Sequence, residues 1–253
     1  MLVETGTVLA AHQEALYAEA AAGGGRSVLL VLQGMDTSGK GGTIGRVMGM
    51  LNPHGVRVAA FGAPSEEERR HHFLWRVRRQ VPEAGRIGVF DRSHYEDVLV
   101  PRVRRLLPAD QWRKRYAEIN DFERELAESG TTVLKVFLHI SPEEQLERLR
   151  KRLTDPAKYW KYSPADLDDR ALWSDFQRAY ADVFEQTSTP VTPWYVVPAD
   201  RKWYRNWAVA NLLAETLDEL SPRFPAPGYD RDFELARLDA DPLAAARATR
   251  RPR

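Results

Sequence analysis

An apolar run, Val28-Leu-Leu-Val-Leu-Gln33, leads directly into Gly34-Met-Asp-Thr-Ser-Gly39-Lys40, and this junction restricts the fold more than any other feature of the chain. A strand apolar on both faces belongs inside a parallel sheet. A Gly-x4-Gly-Lys turn that follows it and opens a helix is the phosphate-cradling loop of P-loop proteins. Backbone N–H groups in such a turn, together with the helix N-terminus, favour an oligophosphate, with Lys40 supplying a point charge. The loop departs from the usual pattern in two places. Gly41 stands where Ser or Thr ordinarily holds Mg2+, and Asp36 lies inside the loop. A carboxylate beside a phosphate nest is repulsive unless a divalent cation lies between them. The chain therefore points to phosphate chemistry with an unconventional metal arrangement.

The remaining pattern agrees with an α/β fold. Short apolar runs predict strands near 27–33, 56–61, 86–91, 132–140 and 194–198, alternating with helical patterns near 40–51, 65–80, 108–129, 142–153, 165–187 and 201–220. Residues 1–25 read as a helix stopped by Gly23-Gly-Gly25. Ser65 to Glu68 and Ser141 to Glu144 both read as capping boxes. After about Pro222 the composition turns to Pro, Asp, Ala and Arg, which predicts a frayed tail over 222–253 and no second domain. A hydrophobic content of 43% with seven Trp supports a sizeable core. With no cysteine, disulfides, thiolate metal sites and thiol catalysis are excluded. No apolar run approaches the roughly 20 residues of a membrane span, and the N-terminus lacks the layout of a signal peptide. A cytoplasmic protein is the expectation.

Several groups could carry the chemistry. Arg86-Ile-Gly-Val-Phe-Asp91 ends a second strand in an acid, and ligands of open α/β sheets sit beyond the carboxyl ends of the strands. Asp36 and Asp91 together form a plausible metal site. Arg92 is placed to clamp a phosphoryl group, while His94 reads as a packed or surface residue and Glu96 and Asp97 as site acids or helix-cap acids. In the helix beginning at 142, Leu146, Leu149 and Leu153 are expected to face the core, leaving Arg148, Lys151 and Arg152 on another face. Thr154 to Ser163 then mixes Lys158 and Lys161 with aromatics, suiting a lid that closes over a polyanion. Arg76 follows the second strand, where P-loop kinases receive the acceptor. Phe73, Leu74 and Val77 beside it read as core, and His71-His72 as surface.

Taken together, Gly34-Met-Asp-Thr-Ser-Gly-Lys-Gly41, Phe90-Asp-Arg-Ser-His-Tyr-Glu-Asp-Val-Leu-Val100, Asp155-Pro-Ala-Lys-Tyr-Trp-Lys161, His72-Phe-Leu-Trp-Arg76 and Asp200-Arg-Lys202 resemble the polyphosphate kinase 2 family over about residues 14–220. The resemblance implies a thymidylate-kinase-like P-loop fold in three layers, with a central parallel five-stranded sheet and a helical lid over about 146–170. It implies transfer of the terminal phosphoryl group of inorganic polyphosphate to AMP and ADP. By position, Asp36 and Asp91 would organise Mg2+, with Mn2+ as an alternative, and Lys40 and Arg92 would act at the transfer point. Gly39, Lys40, Gly41, Arg148, Arg152, Lys158 and Lys161 would hold polyphosphate, and Arg76, Arg92, Glu96 and Arg102 the nucleotide. Glu96 in Ser-His-Tyr-Glu-Asp resembles the class that accepts both AMP and ADP. A homo-oligomer is implied, with neither nucleic acid nor membrane as partner. Pro101 and His71-His72 depart from the family pattern, the first replacing an apolar β-branched residue and the second His-Asp.

The chemistry suits these residues without the family. A nucleotide phosphate loses its last proton with a pKa of about 6, so no strong base is needed and the task is to bring two polyanions together. An ATP-dependent nucleotide or nucleoside kinase would want a hydroxyl after Lys40 and a less basic lid. A nucleotide- or RNA-binding protein without catalysis would leave Asp36 and Asp91 unexplained.

Overall fold

The computed structural model describes residues 2–240. It divides into one compact unit ending at Arg223 and a second beginning at Phe224. The first unit is built on a parallel sheet of five strands: β1 (Ser27–Gln33), β2 (Val56–Ala60), β3 (Ile87–Asp91), β4 (Thr131–His139) and β5 (Trp194–Pro198), in the order β2-β3-β1-β4-β5. Each strand lies within one residue of its predicted position. β1 is buried along its whole length, as its uninterrupted apolar sequence requires. The edge strands are not, and Val58 and Val196 are 51% and 55% exposed.

Helices α1 (Leu2–Ala21), α2 (Lys40–Val47), α3 (Glu66–Arg69), α4 (Trp75–Arg78), α5 (Glu96–Val103), α6 (Ala109–Glu128), α7 (Pro142–Thr154), α8 (Ala165–Ala171), α9 (Trp173–Thr187) and α10 (Lys202–Leu220) complete this unit. α1, α2 and α10 pack together on one side of the sheet, and α5, α6 and α9 on the other, giving the three layers. Strand order reverses about β1. The loops after β1 and β3 therefore open into a common crevice, where ligands of doubly wound sheets bind.

Several expectations are corrected. The helix predicted over 65–80 is two short turns, α3 and α4, although the Ser65–Glu68 capping box is present in both halves. At Ser141 only half of a box forms. Its side chain accepts from the Glu144 N–H, but its own N–H goes to Asp200 Oδ1 at 2.8 Å while Glu144 turns to Arg148. The helix predicted over 165–187 breaks at Leu172. Leu149 is buried as expected, yet Leu153 is 52% exposed, because α7 has by then left the core. α5 was not anticipated, and it contains Pro101. Proline offers no N–H to the carbonyl four residues earlier, which here is Asp97. Arg115 donates to that carbonyl instead. The second unit carries a helix where a frayed tail was expected: α11 (Arg231–Asp239), capped by Asp230, whose Oδ1 accepts from the N–H groups of Asp232 and Phe233 at 3.0 Å. The rest of that tail lies outside the described residues. Among the described residues no helix is long and apolar enough to cross a membrane.

Leu30 stands in the central strand with no exposure. Leu30→Ala is expected to lower unfolding free energy by about 3 kcal/mol in urea titrations. Val58→Thr on the exposed edge should stay within about 0.5 kcal/mol.

Candidate active site

A cavity of about 900 Å³ opens beyond the carboxyl ends of β1 and β3, lined among others by Asp36, Lys40, Asp91, Arg92, Lys202 and Arg205. The sequence places the first four there for local reasons. Gly34 and Gly39 both have positive φ (150° and 105°), and a side chain on Gly34 would meet the Leu138 carbonyl at 2.6 Å, so the turn can close only on glycine. Thr37 and Arg92 adopt left-handed φ of 65° and 62°, conformations that cost non-glycine residues energy and gather at functional sites.

Within the cavity Asp36 Oδ1 pairs with Arg92 Nη2 at 2.7 Å. Burial pushes the Asp36 carboxyl upward, but the Lys40 and Arg92 charges outweigh it and hold it below the usual range. Lys40 folds back to donate to the Gly34 carbonyl at 2.7 Å. Its burial lowers its pKa, and Asp36 and Asp91 offset this only in part. Glu96 does not line the cavity. Burial holds its carboxyl above the usual range despite the neighbouring Arg92 and Lys40 charges. The Gln33 amide, with its oxygen facing Ser93, donates to Glu96 Oε1 at 3.1 Å.

Asp91 Oδ2 would lie 3.8 Å from a Cβ at position 41, so a hydroxyl there and Asp91 would share one ion. Gly41 offers no such hydroxyl, and Asp36 is the loop carboxylate on the cavity wall. Among the described residues no group of three or more His, Cys, Asp or Glu could hold a metal. Two carboxylates completed by water and substrate phosphates are what Mg2+ requires, whereas a dedicated cage of protein ligands is not.

The expected polyphosphate ligands divide into distinct groups. Arg152 and Lys158 line the cavity but carry ion pairs within the lid, Arg152 to Asp166 at 2.7 Å and Lys158 to Asp155. Arg148 is a strut. Its Nε donates to Glu144, one terminal nitrogen to the carbonyls of Thr37 and Ser38, and the other to those of Ala199 and Asp200. Every N–H is taken, so Arg148 contributes charge to the cavity but no hydrogen bond. Lys161 lies over the Trp160 ring at 4.9 Å and, with Lys151, has no ion-pair partner among the described residues.

Two further cations line the cavity: Lys202, from the Asp200-Arg-Lys202 run whose turn the sequence marked as a kind that contacts bases or phosphates, and Arg205, which was missed. They stand three residues apart on one face of the first turn of α10. Burial and the charges of Arg148, Lys151, Lys158 and Arg205 push Lys202 down. Arg205 is 3% exposed and reaches the Ser38 carbonyl at 3.1 Å, with no carboxylate paired to it among the described residues. Burial, then Arg148, pushes it down to about 10. A buried cation without a counter-charge is unfavourable unless an anion completes it. That spacing was the available signal.

The expected nucleotide residues are divided as well. Arg76 is buried, bonded to the Gly62 carbonyl at 2.8 Å and to Asp97 at 3.0 Å. It lines a smaller cavity of about 360 Å³ that shares Ala60, Phe61 and Gly62 with the main one. Arg102 does not reach either cavity; it pairs with Asp182 and lies over the Trp112 ring. His94 is fully buried, and His71 and His72 are exposed, His72 meeting Glu118 at 3.0 Å.

A side chain on Gly39 would overlap the Arg205 guanidinium, whereas one on Gly45 meets nothing within 4 Å. Gly39→Ala is therefore expected to weaken tripolyphosphate binding at least about 10-fold by calorimetry. Gly45→Ala should leave it unchanged.

Comparison with known proteins agrees with this geometry. The family described as polyphosphate kinase 2 matches residues 3–225. A Meiothermus ruber protein named AMP/ADP-polyphosphate phosphotransferase is 54% identical over 215 residues, covering 85% of this chain and 79% of that one. An ADP-polyphosphate phosphotransferase of Rhodopseudomonas palustris is 41% identical over 224 residues, covering 84% and 78%. The crystal structure of a polyphosphate kinase 2 from Arthrobacter aurescens superposes with a TM-score of 0.93 at 49% identity, covering 95% of this chain and 85% of that one.

Proposed function

The chain belongs to the polyphosphate kinase 2 family, and from that premise we propose that it transfers the terminal phosphoryl group of inorganic polyphosphate to both AMP and ADP. The observation that carries this reading is the set of cations without carboxylate partners, Lys151, Lys161, Lys202 and Arg205, in one cavity with Lys40, Asp91 and Arg92. This is more positive charge than one nucleoside triphosphate requires, and it suits a long anionic donor.

A terminal phosphate oxygen of the acceptor attacks the terminal phosphorus of the donor. The bond to the next phosphate breaks, and the shortened polyphosphate leaves with the electron pair. At neutral pH the attacking oxygen is already largely ionised, so the protein's task is to screen repulsion and align the reactants. Lys40 exchanges its carbonyl partner for donor phosphate. Arg92 exchanges Asp36 for the phosphoryl group in flight, its planar fork matching that group. Asp36 is thereby freed, and with Asp91 it would hold Mg2+, which supplies charge neutralisation between the two substrates. Arg76, fixed by Asp97, stands where the acceptor enters. Glu96 supports acceptance of both AMP and ADP. An ATP-dependent kinase is not favoured, since Gly41 offers no hydroxyl to the metal.

Purified protein with ADP, polyphosphate and Mg2+ is expected to form ATP, and with AMP to form ADP and then ATP. EDTA should abolish both. Asp91→Asn and Lys40→Ala should each lower kcat by about 10²-fold or more with circular dichroism unchanged. Product formed only when ATP is the donor would overturn the reading.

A further inference from the structure

One cluster of ionisable groups lies outside the cavity and has no part in the reaction as described. Glu123 on α6 and Lys135 in β4 are 1% and 0% exposed and pair at 2.6 Å. The Glu123 carboxylate also accepts from Tyr95 Oη at 2.7 Å, Thr192 Oγ1 at 2.9 Å and His94 Nε2 at 3.2 Å. Lys135 Nζ donates further to Tyr95 Oη at 3.1 Å and to the Thr187 carbonyl at 2.7 Å. His94 Nδ1 is buried without a partner, so its proton is assigned to Nε2, facing the carboxylate. Glu123 and Lys135 thus form a buried ion pair to which His94, Tyr95 and Thr192 are hydrogen-bonded.

A buried pair of this kind is a weak source of stability, because apolar residues of similar volume often do as well, whereas losing one partner is strongly destabilising. What the cluster does hold is a specific piece of backbone. His94 and Tyr95 are consecutive, yet both side chains turn to the same carboxylate, which an extended strand does not allow. Tyr95 has helical backbone angles, φ −67° and ψ −23°, in the turn that leads into α5, and this makes the geometry available three residues after the left-handed Arg92, with φ 62°. The Arg92 N–H donates to the Leu32 carbonyl and the Tyr95 N–H to Ser93 Oγ. Ser93, His94 and Tyr95 are all fully buried. Between the end of β3 and the start of α5, Arg92 is the one side chain left to display.

We propose that Glu123 and Lys135 are positioning residues for phosphoryl transfer: by anchoring His94 and Tyr95 they hold the strained turn that presents the Arg92 guanidinium to the transfer point. The inference rests on the reading of Arg92 as the clamp on the transferred group. It differs from a purely structural role in one respect. The effect of the cluster on turnover must pass through Arg92.

The test combines substitutions at the cluster with one at Arg92, assayed well below the melting temperature of every variant. Glu123→Gln is expected to lower kcat by about 10²-fold, the cost of a small misplacement of a catalytic group, with KM for ADP and polyphosphate little changed. In an Arg92→Lys background, where a point charge replaces the oriented fork, the same substitution should cost less than about 3-fold. Equal losses in both backgrounds, or an unchanged kcat in folded Glu123→Gln, would overturn the proposal. The double variant Glu123→Gln/Lys135→Met removes both charges and covers the case in which the single variant fails to fold. It should melt near the parent yet keep the lowered kcat, and recovery of full turnover would count against positioning. A crystal structure of that double variant gives a readout independent of turnover. Arg92 should leave Asp36, and an unmoved pair at 2.7 Å would contradict the inference. If the parent itself makes no ATP from polyphosphate, the functional reading fails, while this structural readout still judges the network.

Discussion

The ion pair between Asp36 and Arg92 at 2.7 Å joins the two motifs on which the site is built, one following β1 and the other following the adjacent β3. Each partner belongs to a strained turn that the surrounding structure must hold in place, since Thr37 and Arg92 both hold left-handed φ. Around Asp36 the site is thus neutralised from within, with Arg92 on Asp36 and Lys40 on the Gly34 carbonyl. Further along the cavity it is not, because Lys202 and Arg205 lie among other cations and are shifted downward by burial and by those neighbours. On the proposed mechanism a polyanion would therefore meet free positive charge first and reach the reactive end by exchanging one set of partners for another.

This arrangement gives Asp36 a use that its place inside a phosphate loop would otherwise deny it. A carboxylate there would repel the donor if it stayed free, and would be inert if it stayed paired. Paired with Arg92 here, it would on the proposed mechanism be released when the guanidinium turns to phosphate, and so become available to a metal at the moment charge must be neutralised. The lid cations follow the same logic at lower stakes. Arg152 and Lys158 are neutralised by Asp166 and Asp155, and such partly exposed pairs are weak enough for a multivalent anion to displace.

Features set by short segments were legible in the sequence. All five strands follow from apolar runs bounded by turn residues, and Lys40, Asp36, Asp91 and Arg92 converge because their motifs end neighbouring strands. Features set by distant partners were not. Arg148 looks like any other lid cation until carbonyls from the phosphate loop and from the β5–α10 turn are seen to occupy it. The helix predicted over 65–80 breaks over 70–74, between α3 and α4, and Arg76 on α4 is drawn inward to Gly62 and Asp97. α5 was hidden by Pro101, whose cost is offset by Arg115 from another helix. Glu123 and Lys135 carry no mark in the sequence, and only the packing of α6 against β4 reveals that they meet inside. Arg205 lacked any mark except its spacing from Lys202.

The central claim is that donor phosphate takes Arg92 from Asp36. A crystal structure of the protein with a non-transferable phosphate-chain analogue and Mg2+ tests it directly. The account requires Arg92 to contact phosphate oxygen and to stand beyond hydrogen-bond distance of Asp36, with Asp36 and Asp91 turned to the ion. A bound phosphate chain beside an intact Asp36–Arg92 pair would contradict it.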